Sequence, residues 1–207
     1  MEPFIQHSGI AAPLPGQDIN TDLIYPQRFL RKPDRASMGE FLFHGLRHDA
    51  SGEPRPDFIL NREPYSSATI LIAGRNFGSG SSREHAPWAL KSAGFRCLIS
   101  SQFADIFKAN CVNNGVLPAV VSDDLLAACL HAAMNPQDTR FEVDLTAREI
   151  THPRLGTIGF EISDSDRDRL MNGSDFIDDS LKEAAEIGRF EQVHATRMPW
   201  LGPQHEQ

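Results

Sequence analysis

From residue 68 onward the apolar positions gather into short unbroken runs separated by stretches of helical spacing. ATILIAG (68–74), FRCLISS (95–101) and VLPAVV (116–121) each read as a buried strand. Between them lie APWALKSA, with Gly94 placed to close a helix, and SQFADIFKANCVNN, closed by Gly115. SDDLLAACLHAAMN predicts a third helix, with Ser122 as its cap and Asp123 and Asp124 against its positive end. Strand-helix-strand alternation implies an α/β fold. Beyond Pro136 the period changes from helical to twofold. FEVDLTAREITH and TIGFEI predict an antiparallel pair or meander, and DDSLKEAAEIGRFEQ a last amphipathic helix. The expected architecture is a mixed sheet or open barrel with flanking helices.

The amino-terminal third is less regular. Pro13, Pro15, Gly16, Pro26 and Pro33 break the first 35 residues into what read as short extended pieces joined by turns. Residues 31–68 are rich in glycine, proline and charge, which marks them as a long or mobile loop and the candidate lid over a site. No internal repeat or low-complexity tract appears. The division is therefore one domain over 1–200 and a carboxy-terminal tail over 201–207.

Charge narrows the partners. Twenty Lys and Arg against 28 Asp and Glu leave a net charge of −8, a field that repels nucleic acid and anionic membranes. An anionic small substrate then needs a local cluster of cations and amides to hold it. No apolar run has the ~18 residues of a membrane span, and the amino terminus has no basic-then-apolar leader, so a cytoplasmic protein is expected. Cys97, Cys111 and Cys129 are too widely spaced for a metal knuckle and odd in number for a disulfide framework. They predict buried thiols and no metal site in this chain.

The chemistry concentrates in GRNFGSGSSREHAPWAL (74–90), where a buried strand runs into a Gly/Ser loop and then a helix. Strand-to-helix junctions of this kind are where α/β proteins place ligands. Gly78 and Gly80 let a ligand approach the main chain, and Pro87 puts the helix start near His85. The Gly78–Arg83 amides, the hydroxyls of Ser79, Ser81 and Ser82, and the Arg83 guanidinium together suit a carboxylate or phosphate. Ser81-x-x-Glu84 also matches a capping box, a structural use of the same residues. Other motifs fail. No phosphate-binding G-x-x-x-x-G-K-[ST] occurs, G-x-G-x-x-G breaks at Arg83, and G-x-S-x-G is absent. Asp164, Asp166, Asp168 and Asp175 imitate a calcium loop but have Arg169 where glycine is required, and read as a solvated helix start. His44 and His48 lack a third ligand.

With these residues in view, the chain resembles the isopropylmalate dehydratase small-subunit family, relatives of the swivelling domain of aconitase. NTDLIYPQRFL resembles the family's amino-terminal signature, ILIAGRNFGSGSSREHAPWAL its central one, FADIFKANCVNNGVLP the segment after it, and LMNG (170–173) its carboxy-terminal region. The resemblance implies an aconitase-like swivelling β/β/α domain that works in a heterodimer with a large subunit carrying a 4Fe-4S cluster. The implied reaction is hydro-lyase interconversion of 2- and 3-isopropylmalate, in leucine biosynthesis. It carries Ser81 over as the catalytic base, and Ser82, Arg83, Gly80 and Asp22 as contacts of the dicarboxylate substrate. Three positions depart: Ser79 where cysteine is frequent, Asn20 where aspartate is common, and NGSDFIDD (172–179) in place of a pattern like NGLDDIG. Two other readings stay open at this point. One is a paralogous hydro-lyase subunit acting on citraconate, methylmalate, dimethylmalate or maleate. The other is a non-catalytic anion-binding module, since fold and loop do not compel catalysis.

Overall fold

The computed structural model describes residues 1–31 and 34–201. Its frame is a seven-stranded mixed sheet in the order β4-β3-β2-β1-β5-β6-β7. Strand β1 (Gln6–Leu14) pairs in parallel with β2 (Ile70–Ala73), which is followed outward by β3 (Cys97–Ser100) and β4 (Leu117–Val120). On its other side β1 pairs antiparallel with β5 (Arg140–Asp144), and β6 (Glu149–His152) and β7 (Gly156–Gly159) continue as a meander. Beyond β7, Glu161 exchanges both backbone hydrogen bonds with Val120 at the end of β4 (2.7 and 3.3 Å). The expected mixed sheet is present, curled into a half-barrel whose two ends are linked at this one bridge.

The helices follow in chain order: α1 (Thr21–Ile24), α2 (His44–Arg47), α3 (His85–Ser92), α4 (Asp105–Asn113), α5 (Asp123–Ala133), α6 (Asp164–Asn172), α7 (Phe176–Lys182) and α8 (Ala184–Arg197). Ser122 caps α5 by accepting from Leu125 N–H, as its position predicts. Ser163 caps α6, and Gly173, with φ +65°, ends it, so the aspartate run is a helix start.

Alternation along β2 divides the core in two. Leu71 and Ala73 face α3, α4 and residues 24–68, whereas Ile70 and Ile72 face α5 and the antiparallel strands, with Phe141, Val143 and Ile150. Cys97, Cys111 and Cys129 are buried and unpaired, and burial pushes each thiol above its usual range, Cys129 to about 11.

Three local expectations change. The amino-terminal pieces form one nine-residue strand despite Pro13. Ala11 N–H points at Thr139 O, so the Pro13 nitrogen two residues on faces the same side, past the end of β5, and leaves no ladder bond open. Residues 101–104 stay outside α4, because Phe77 and Phe103 form a β-bridge there. The single last helix is two, divided at Glu183, and α8 buries none of its side chains.

Residues 31–68, read as a loop, carry short helical turns at Met38–Phe41, α2, Ile59–Asn61 and Tyr65–Ser67. They bury Met38, Leu42, Phe43, Leu60 and Tyr65. Ser92 at the end of α3 accepts from Gly39 N–H (2.9 Å) and donates to Ala36 O (2.5 Å), fastening this segment to the helix. Of the tail expected over 201–207, Leu201 closes a turn from Pro199, and the remainder lies outside the described residues. Among the described residues, no helix is long and apolar enough to cross a membrane.

Candidate active site

Strand β2 delivers the chain at Ala73 into the loop 74–84, and backbone hydrogen bonds hold that loop on both sides. On one side Gly78 N–H donates to Ile19 O (2.8 Å) and Thr21 N–H to Ser79 O (2.8 Å); on the other Phe77 N–H donates to Gln102 O (3.2 Å) and Ala104 N–H to Phe77 O (3.1 Å). Asn20 and Ser79, two of the positions that depart from the resembled signatures, form a bridge with one another. Asn20 also caps α1 through its side chain, accepting from Leu23 N–H at 2.9 Å, so the helix that carries Asp22 is fixed at its start.

Two glycines are obligatory for different reasons. Gly78 has φ +82° and passes so close to α4 that a Cβ there would lie 2.2 Å from Cγ of Phe107. Gly80, with φ +105°, turns the chain over Thr21.

Ser81 is held from its backbone and addressed at its oxygen. Its N–H donates to Thr21 Oγ1 (3.0 Å), and its Oγ accepts from Arg83 N–H (3.3 Å). The Ser82 carbonyl accepts from Asn110 Nδ2 on α4 (3.1 Å). The expected nest of amides is thus partly occupied, because Gly78 N–H donates to Ile19, Ser81 N–H to Thr21 and Arg83 N–H to Ser81. The Gly80 and Ser82 N–H groups have no partner among the described residues. The capping-box use of Ser81 and Glu84 is not realised. Helix α3 begins at His85, its N-cap Glu84 makes no side-chain cap bond, and the Ser81 hydroxyl stays with Arg83.

A shallow depression open to solvent brings Asp22, Ser81 and Arg83 together with Thr21, Tyr25, Leu30, His85 and Ala86. Asp22 and Arg83 are exposed and Ser81 is half-buried, so charge faces solvent around a partly sheltered hydroxyl. Gly80 and Ser82 lie exposed on the same loop but do not line this depression. Two further residues, to which the loop's own sequence does not point, hold it: Thr21, buried beneath it, and Asn110 on α4. Thr21 sits inside the NTDLI run that drew attention to Asp22, but nothing in the sequence says that its oxygen would meet Ser81. The His85 ring lies between Tyr25 and Trp88, at 6.1 and 4.9 Å between centroids. Burial lowers its pKa, with the charges of Arg83 and Arg35 acting in the same direction, so the imidazole is neutral near pH 7.

His44 and His48 stack on one another at 4.4 Å, and His44 Nδ1 meets the Arg28 guanidinium at 2.9 Å. Among the described residues, no group of three or more His, Cys, Asp or Glu side chains could hold a metal ion. With the three thiols buried and kept protonated by that burial, this chain's own residues do not fit an iron-sulfur cluster.

Comparison with known proteins bears on the family and the fold. The aconitase C-terminal domain family matches residues 1–124. The 3-isopropylmalate dehydratase small subunits of Agrobacterium fabrum and Rhizobium meliloti are each 46% identical over 97% of this chain and 100% of their own length. The crystal structure of a 3-isopropylmalate dehydratase from Methanocaldococcus jannaschii superimposes with a TM-score of 0.63 at 27% identity, covering 90% of this chain and 99% of that one.

Proposed function

The chain belongs to the 3-isopropylmalate dehydratase small-subunit family of the aconitase superfamily, and from that premise we propose that it supplies the base and the carboxylate grip of a two-subunit hydro-lyase. The substrate of this reading is 2-isopropylmalate, converted to 3-isopropylmalate by loss and return of water in leucine biosynthesis. The partner is the large subunit, and the setting is the cytoplasm. The 4Fe-4S cluster belongs on that partner, where its contribution is Lewis acidity at the departing hydroxyl.

The observation that carries the reading is the convergence of Ser81, Arg83 and Asp22 on one shallow depression, with a main-chain N–H already directed at the Ser81 oxygen. A serine hydroxyl is a very weak acid. Its anion is useful as a base only where donors and positive charge stabilise it, and the Arg83 N–H and the nearby guanidinium supply both. In that form Ser81 takes the proton from the carbon next to a substrate carboxylate and returns it to the other carbon during rehydration. The Arg83 guanidinium forks onto a carboxylate, and the unpartnered Gly80 and Ser82 N–H groups add donors from the main chain. Asp22, exposed at the rim, accepts from the substrate hydroxyl.

Reconstitution of the full chain with its cluster-loaded large subunit, followed by ultraviolet absorbance of the unsaturated acid, tests the reading. Preference for isopropylmalate over citraconate, methylmalate, dimethylmalate and maleate is expected. Activity on the shorter acids alone would move the chain to a paralogous hydro-lyase, and no partner-dependent activity on any of them would leave an anion-binding module. In the same assay Arg83→Lys is expected to raise KM roughly tenfold with a smaller change in kcat, because a point charge replaces a planar fork. An unchanged KM would remove Arg83 from substrate binding.

A further inference from the structure

The bond from Asn110 Nδ2 to the Ser82 carbonyl is one that the proposed chemistry does not use directly. That carbonyl and the Arg83 N–H belong to one peptide unit. A trans peptide is planar, so its C=O and N–H point in opposite directions. Drawing the Ser82 oxygen toward α4 therefore turns the Arg83 N–H away from α4, and on that side it meets Ser81 Oγ. Only the amide nitrogen of Asn110 can donate to a carbonyl oxygen, so the side chain specifies one of the two faces of this peptide.

We propose that Asn110 is a positioning residue for Ser81: by holding the 82–83 peptide in this orientation it keeps a main-chain donor on the oxygen that carries the proton. The inference rests on the base role proposed for Ser81.

The neighbouring bonds support it. Residues 81–83 have no regular secondary structure, and Ser82 and Arg83 are exposed, so no ladder or core contact otherwise decides which way their peptide faces. Thr21 fixes the peptide before Ser81 by accepting its N–H, and Asn110 fixes the peptide between 82 and 83. The peptide between 81 and 82 is left with its N–H unpartnered and turned to neither anchor. Asn110 is itself built in. Its backbone oxygen accepts from Asn114 Nδ2 (2.8 Å), and Asn114 Oδ1 accepts from Trp88 Nε1 on α3 (3.0 Å). Phe107, one turn earlier on α4, lies under Gly78. One helix thus sets both where the loop lies and which way its critical peptide faces.

Asn110→Asp tests this with almost no change of shape. The carboxylate offers the Ser82 oxygen no donor and repels it, which favours the opposite peptide face. In the reconstituted enzyme the expected result is a fall in kcat of about 10²-fold, comparable to loss of one oxyanion donor. KM and large-subunit affinity are expected to change little, and the limb of the kcat profile that reports Ser81 deprotonation to move to higher pH. Asn110→Ala, which removes the donor without repulsion, is expected to show the same pattern more weakly. A crystal structure of the full-length Asn110→Asp chain is expected to show the 82–83 peptide rotated, with Arg83 N–H off Ser81 Oγ. A peptide that keeps its orientation in that variant overturns the proposal whatever the kinetics. A rotated peptide with unchanged kcat and pH profile would instead overturn the base role of Ser81. If kcat falls without a shift of the pH limb, Asn110 is structural only.

Discussion

Ser81→Ala is expected to lower turnover of the reconstituted enzyme by about 10²–10⁴-fold, the range spanned by positioned proton-transfer groups. The Ser81 hydroxyl supports nothing in the apolar core. It is half-buried, and among the described residues the one bond it accepts comes from the Arg83 N–H. The bond by which residue 81 itself is held runs from its N–H to Thr21 Oγ1, and alanine keeps it. Folding and assembly with the large subunit are therefore expected to survive, so that the loss falls on kcat. Steady-state kinetics beside a thermal melt of the variant separates these outcomes. Wild-type turnover would exclude Ser81 as the base; an equal loss of stability would make the hydroxyl a folding element.

Gly78→Ala should produce a large loss of stability from one added methyl group. The new Cβ would have to occupy space 2.2 Å from Phe107 Cγ, and Phe107 cannot move aside easily. Its ring is buried, stands edge-on to Phe77 at 5.4 Å and lies parallel to Phe103 at 6.4 Å. The backbone at 78 is also left-handed, with φ +82°, which costs a residue with a side chain about 1–2 kcal/mol. Overpacking adds about 1–3 kcal/mol. The chain can avoid these costs only by lifting the loop off α4, which would separate Ser82 O from Asn110 and lower activity as well. Urea unfolding of the full chain measures the first effect. Phe107→Leu in the Gly78→Ala background should recover part of it, a coupling expected only if the two positions collide. Additive losses would mean that the loop has other room to move.

These contacts mark the limit of what the chain reveals when read in order. The parallel strands and the helices between them were legible because buried parallel strands leave continuous apolar runs, as in ILIA, and because Gly94 and Gly115 punctuate the helices. The long first strand was not, since proline and glycine inside QHSGIAAPL argue against it. Its justification is non-local: Pro13 lies beyond the end of β5, and Gly9 passes a threonine at 69, whose oxygen would be 2.0 Å from an added Cβ. The last helix failed differently. Its spacing predicts an apolar face, and α8 has one, with Ile187, Phe190 and Val193 exposed, but periodicity says nothing of what the face meets. In the candidate site, glycines, serines and arginine were visible as a cluster. Thr21 and Asn110 were not, because a hydroxyl 60 residues away and an amide 28 residues away act on the loop through single hydrogen bonds that no spacing encodes.

The meeting of Val120 with Glu161 bears on how such a chain survives before assembly. A subunit synthesised separately from its partner spends time alone and at high local concentration with copies of itself. An open sheet in that situation offers unpaired strands to its neighbours, and identical chains would add to one another in rows. Here the outer strand of the parallel half is engaged by its own chain some forty residues later. Its Pro118, two residues before Val120, has no N–H to extend toward a stranger. Weakening that closure, for instance by Glu161→Pro, which removes the N–H given to Val120 O, would therefore show itself first as lost yield of soluble protein, before any defect in catalysis.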